Sequence, residues 1–143
     1  MKEKFINFFM RVAEETATLS YASRLKVGAV IVKDKNIISF GYNGTPEGFD
    51  NSCEEKINEN GTSYQLVTKK EVIHAEANAI TKLARQGGRG EGSTLFITHA
   101  PCIECSKLII QSGIKSVFYK SPYRLEDGIN LLHRANIQTF KTE

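Results

Sequence analysis

The chain has 143 residues, 41% hydrophobic and 24% charged, with a net charge of +3. That length suits one domain, residues 1–143, able to bury about two-thirds of the surface its unfolded chain would expose. No apolar run nears the ~20 residues a bilayer crossing needs, the early acidic residues of "MKEKFINFFMRVAEE" do not suit a signal peptide, and Lys and Arg are mixed among Asp and Glu, so a membrane or nucleic-acid partner is not expected.

A cytoplasmic location follows as the expectation. Basic residues concentrate only at "SRLK" (23–26) and "GGR" (87–89), a balance suited to a small anionic ligand.

Along the chain, Phe5, Phe8, Phe9, Val12, Ala13 and Ala17 recur at helical spacing and predict an amphipathic helix ending near Ser20. "VGAVIV" (27–32) and "IISFGY" (37–42), separated by "KDKN", predict a β-hairpin. From Gly41 to about Lys70 the chain is rich in Gly, Asn, Glu and Thr without a long period, and is expected to be a long functional loop. A helix is expected from about His74 to Gln86, stopped by "GGRGEG", then a strand at "TLFITH" (94–99). Pro101 suits the first position of the next helix, which should end before Gly113. "SVFY" (116–119) reads as a strand, "EDGINLLHRA" (126–135) as a helix and "IQTF" (137–140) as a last strand. The order α-β-β-α-β-α-β-α-β argues for an α/β domain of three layers, α/β/α, around a mixed five-stranded sheet.

Three cysteines in a chain without a signal peptide argue for metal or redox chemistry over disulfides. Cys102 and Cys105, three apart, project from one face near a helix N-terminus, where negative charge is stabilised and thiolates are favoured. His74 opens another helix. If the two helix starts face each other, one imidazole and two thiolates can hold a single Zn2+ ion, whose charge the thiolates offset. Three protein ligands leave a fourth corner for water, as in catalytic zinc sites. Glu76, two residues past the histidine, can reach that water and carry its proton. The alternative recruits Cys53 into a closed Cys₃His structural site, which leaves Glu76 unexplained. Cys53 reads more simply as lining or packing the long loop. His99 sits at a strand end beside the metal helix, either facing solvent or supporting the metal ligands, and His133 lies on the surface of the last helix.

His-x-Glu followed by Pro-Cys-x-x-Cys is the signature of zinc-dependent deaminases. With "VGAVIV", "GYNGTPEG", "HAEANAI", "PCIECSKLIIQSGIK" and "YR", the chain from about Ser23 onward resembles the deoxycytidylate (dCMP) deaminases, within the cytidine deaminase superfamily. The resemblance implies a cytidine deaminase-like fold and hydrolysis of dCMP to dUMP and ammonia, supplying dUMP for thymidylate synthesis. It implies that activated water attacks carbon 4 of the base while Glu76 takes the water's proton, passes it to ring nitrogen 3 and later protonates the departing ammonia. Pro101 and Cys102 would offer backbone groups that orient the base.

Asn43 resembles the family residue that hydrogen-bonds the sugar, while Arg24, Lys26, Tyr123 and Arg124 are candidates for the 5′-phosphate, Arg24 and Tyr123 first. Gly41 and Gly44 would let the backbone turn tightly beside a ligand. The resemblance also implies a homo-oligomer, a hexamer favoured, activated by dCTP and inhibited by dTTP. The loop Gly41, Tyr42, Asn43 and Gly44 would hold the effector, with Mg2+ as the effector nucleotide's companion. The short stretch between Cys53 and His74, poor in metal ligands, argues against a further zinc. The alternatives are a polynucleotide deaminase acting on tRNA adenosine or on cytidine in DNA or RNA and, more remotely, a non-catalytic zinc-stabilised module.

Overall fold

The computed structural model describes residues 1–143, which form helix α1 (Glu3–Ala17), strands β1 (Gly28–Lys33), β2 (Asn36–Tyr42), β3 (Glu54–Ile57) and β4 (Gln65–Thr68), helix α2 (Ala75–Arg85), strand β5 (Thr94–His99), helix α3 (Ile103–Gln111), strand β6 (Ser116–Ser121), helix α4 (Asp127–Arg134) and strand β7 (Gln138–Lys141). Five strands make one sheet in the order β2-β1-β5-β6-β7, in which β1 is antiparallel to both β2 and β5, while β5, β6 and β7 run parallel to one another. The expected mixed five-stranded sheet and its flanking helices are all present. β3 and β4 form a separate antiparallel hairpin inside the segment expected to be an irregular loop. That expectation is corrected: most hairpin side chains are exposed, so no hydrophobic alternation marks the strands in the sequence.

Period-two alternation divides the core into two layers. Ala29, Ile31, Leu95, Ile97 and Val117 point to one face and pack with Ala75, Ala79, Leu83, Ile109 and Leu132 of α2, α3 and α4. Val30, Val32 and Phe96, the residues between, point to the other face and meet Phe9, Met10 and Ala13 of α1. On that second face Phe96, Phe118 and Phe140 follow one another across β5, β6 and β7 at centroid spacings of 4.9 and 4.8 Å, and Phe9 of α1 packs on Phe96 at 5.4 Å.

The antiparallel pairing of β1 with β5, Ala29 opposite Ile97, brings the start of β1 beside the end of β5. The chain entering β1, residues 24–27, therefore meets the chain leaving β5, residues 99–102. The start of α2 reaches the same place through a short bridge in which the Gly44 and Ile73 backbones exchange hydrogen bonds of 3.1 and 2.7 Å.

Candidate active site

His74 and Cys102 occupy equivalent places, each the N-cap residue of its helix with extended backbone, φ/ψ −70/155° and −72/172°. An N-cap side chain ordinarily accepts a hydrogen bond from the helix's first amides. Neither residue does so, which leaves the imidazole and the sulfur free to turn outward. Pro101 thus stands one residue before the cap and not in the first helical position, because Cys102 needs non-helical backbone to present its sulfur. Cys105 lies one turn into α3 and is buried.

His74 Nδ1 lies 3.5 Å from Cys102 Sγ and 3.3 Å from Cys105 Sγ. A tetrahedral zinc with Zn–S near 2.3 Å and Zn–N near 2.0 Å would hold nitrogen and sulfur about 3.5 Å apart. The three donors, all within 4.8 Å of one another, thus have the spacing and chemistry of a zinc site with one corner left over. Cys53 is not among them, which argues against the alternative of a closed four-ligand site: its sulfur lies 3.5 Å from the Asn51 carbonyl oxygen, in the wall of the loop.

The two sulfurs are electrostatically unlike. A hydrogen bond from Cys105 lowers the Cys102 thiol to about 4, and the same bond, with burial, pushes Cys105 upward. His74 is raised by its hydrogen bond with Cys102. Glu76, in the first turn of α2, is 4% exposed and its carboxyl is raised from 4.5 to about 7, chiefly by burial. A carboxyl with that affinity can accept a proton and release it near neutrality.

A cleft of about 300 Å³ opens over these groups, lined by His74, Glu76 and Cys102 and, toward its mouth, by Arg24, Asn43 and Tyr123. Lys26 and Arg124 do not line it. Both are exposed, and Arg124 lies over the Tyr123 ring at 6.0 Å from its centroid. His99, half-buried at the end of β5, does line the cleft, and burial lowers its pKa. His133 is on the surface as expected, its Nε2 2.7 Å from Thr139 Oγ1.

The Asn43 amide is largely committed to backbone. Nδ2 donates to Leu25 O at 2.8 Å and Oδ1 accepts from Val27 N at 2.9 Å, leaving one hydrogen and one lone pair uncommitted. Gly41 and Tyr42 belong to β2 and not to a turn. With Gly44 they line a second cavity of about 610 Å³, which shares Cys53 with the first. Glu54 and Thr68, in the cleft wall, were not foreseen. A lone carboxylate and hydroxyl in a segment without periodicity carry no signal.

The sequence matches the family model described as the cytidine and deoxycytidylate deaminase zinc-binding region over residues 3–121. The chain belongs to the cytidine and deoxycytidylate deaminase family. It is 39% identical over 117 residues to ComE operon protein 2 of Bacillus subtilis, covering 82% of this chain and 59% of that protein. It is 35% identical over 142 residues to deoxycytidylate deaminase of Saccharomyces cerevisiae, covering 96% of this chain and 44% of the yeast protein. The chain thus spans only about half the length of these two relatives. Coverage is nearly complete with the crystal structure of dCMP deaminase from the cyanophage S-TIM5 in complex with dCMP and dUMP: 99% of each chain, 40% identity and a TM-score of 0.88.

Proposed function

We propose that the chain catalyses the hydrolytic deamination of dCMP to dUMP and ammonia. The observation that carries the proposal is the buried Glu76 carboxyl beside the His74, Cys102 and Cys105 donors in one cleft whose mouth bears Arg24 and Tyr123. The likeness to the cyanophage enzyme with dCMP and dUMP supports the choice of substrate.

His74, Cys102 and Cys105 would hold a zinc ion, which would supply Lewis acidity and bring the pKa of water at the site down to about 7. Glu76 takes a proton from the attacking water and delivers it to ring nitrogen 3; it then takes the second proton from the new hydroxyl on carbon 4 and passes it to the amino group, so that the carbonyl forms as the C–N bond breaks and ammonia leaves. Burial, by raising its proton affinity toward neutrality, suits the carboxyl to both directions of transfer. His99, Ala100 and Asn43 line the same cleft; in this reading the base rests against the first two and the uncommitted part of the Asn43 amide meets the sugar. Arg24 grips the phosphate, with the Tyr123 hydroxyl as a second donor.

Incubation of the zinc-loaded protein with dCMP, followed by loss of cytosine absorbance, tests the proposal. Turnover of dCMP is expected, and Glu76→Gln should lose about 10²- to 10⁴-fold in kcat while keeping its zinc. Activity confined to polynucleotides would overturn the substrate assignment.

We further propose cytoplasmic action supplying dUMP for thymidylate synthesis, and a hexamer activated by dCTP and inhibited by dTTP. The second cavity supports the effector role through its size and its lining by Tyr42, Lys82 and Arg85. Rate curves against dCMP that are sigmoidal, and become hyperbolic with dCTP, are the expected outcome.

A further inference from the structure

The segment between α1 and β1 that carries Arg24 has no helix or sheet of its own. The Asn43 amide holds it at Leu25 and Val27, and the β3–β4 hairpin holds it at Ser23 and Arg24. Glu54 Oε2 accepts hydrogen bonds from two consecutive backbone amides, Ser23 N–H at 2.9 Å and Arg24 N–H at 3.0 Å. Thr68 Oγ1 accepts from Arg24 Nη1 at 3.1 Å. Glu54 and Thr68 are directly opposite each other in the hairpin register. One cross-strand pair therefore holds both ends of a single residue, the backbone through a carboxylate and the guanidinium through a hydroxyl. All three line the substrate cleft.

We propose that Glu54 and Thr68 are positioning residues that preorganise Arg24 for the substrate's phosphate. The inference rests on Arg24 being the phosphate ligand, as argued above. A free arginine loses much rotamer freedom when it grips an anion, and a side chain already held in place loses less on binding. A carboxylate in an anion's cleft would ordinarily repel the ligand. Here its charge is directed at two N–H groups, and charge-assisted bonds of this kind are among the stronger ones a side chain makes to backbone. Positioning and repulsion have opposite signs, so the effect of removing Glu54 separates them.

The experiment measures kcat and KM for dCMP in zinc-loaded Arg24→Ala, Glu54→Ala, Glu54→Gln, Thr68→Val and the double variant Arg24→Ala/Glu54→Ala, with hydrogen exchange followed at the Ser23 and Arg24 amides. Glu54→Ala should raise KM about tenfold with kcat within about twofold, a change on the scale of losing charge-assisted bonds at an exposed site. Exchange at the two amides should quicken. Glu54→Gln, which keeps an acceptor oxygen, should restore part of the loss. Thr68→Val should raise KM by a smaller factor without touching the amides, which keeps the test alive if Glu54→Ala folds poorly. In the Arg24→Ala background, Glu54→Ala should add nothing further. If Arg24→Ala raises KM but Glu54→Ala and Thr68→Val do not, or if the Arg24 and Glu54 effects multiply independently, the positioning role is wrong while the phosphate assignment stands. A lower KM in Glu54→Ala would mark the carboxylate as a repulsive group and overturn the proposal. Unchanged KM in Arg24→Ala overturns the phosphate assignment itself, and the proposal with it.

Discussion

Gly41 of β2 lies directly beneath Ala79 of α2: a Cβ built at position 41 would come within 2.5 Å of the Ala79 nitrogen and 2.6 Å of the Ala75 carbonyl oxygen. Both atoms are backbone, so no side-chain adjustment can make room. The glycine thus sets the height of α2 above the sheet, and with it the placement of His74 and Glu76 at the helix start. Gly41→Ala should destabilise the protein by about 1–3 kcal/mol, the usual scale of overpacking. It should also weaken zinc binding, because α2 must lift away from α3. Urea unfolding and competition with a zinc chelator would read the two effects. Unchanged zinc affinity with lowered stability would show that the ligands do not depend on the height of the helix.

Glu76 sets stability against function. Its folded pKa of about 7 lies above the usual 4.5 because burial disfavours the charged form. The sign follows from proton linkage: the folded state binds this proton more tightly, so the favourable contribution is complete below pH 4.5 and is lost as pH rises through 7. Chelated protein should therefore lose about 3 kcal/mol between those limits from this group. Glu76→Gln, which has no proton to lose, should be more stable than the parent protein above pH 7 and gain little below pH 4.5. Chemical denaturation of the two chelated proteins across that range checks it. Parallel curves would show that Glu76 is not buried as a costly carboxylate.

The main sheet was legible in the sequence because both its layers are apolar. "VGAVIV" and "TLFITH" bury their two faces in different helix layers, and α1, with Phe9, Met10 and Ala13 on one face, is plainly amphipathic. His74, Cys102 and Cys105 were legible because helix starts and metal ligands both leave spacing rules. The β3–β4 hairpin was not, since Glu54, Glu55, Lys56 and Ile57 have no buried face to alternate with. Which cations line the cleft was not legible either: Arg24 does, while Lys26 and Arg124 do not. Residue type marks a cation as a candidate for a phosphate, but its place around the cleft depends on the folded chain.

Cys53 and Cys102 should respond oppositely to the same substitution. Cys53→Ser should retain one zinc per chain, since Cys53 stands outside the donor cluster, whereas Cys102→Ser should lower zinc affinity by orders of magnitude. Zinc uptake by the chelated protein should release protons at pH 7, because the raised Cys105 thiol must ionise before it binds. Affinity should accordingly fall as pH falls. Calorimetry in buffers of different ionisation enthalpy measures the proton count. A Cys53→Ser protein without zinc would restore the closed, four-ligand site.

Asn43 splices the chain entering β1 to the chain leaving β2, and its two amide atoms can be tested separately. Asn43→Asp keeps an acceptor for the Val27 amide but replaces the donor to Leu25 O with a carboxylate oxygen, setting negative charge against a carbonyl. Asn43→Ala leaves both backbone groups without their side-chain partner, at a cost of about 1–3 kcal/mol for each group kept from water. Leu25 is exposed, so water can solvate its carbonyl in the alanine variant, whereas the aspartate keeps its charge there. Asn43→Asp should therefore be no more stable than Asn43→Ala despite conserving shape. Both should raise KM for dCMP, because Arg24 immediately precedes the loosened Leu25. Thermal unfolding and steady-state kinetics on the pair decide the matter. An Asn43→Asp protein as stable as the parent would mean that the Nδ2 bond to Leu25 contributes nothing to holding this wall of the cleft.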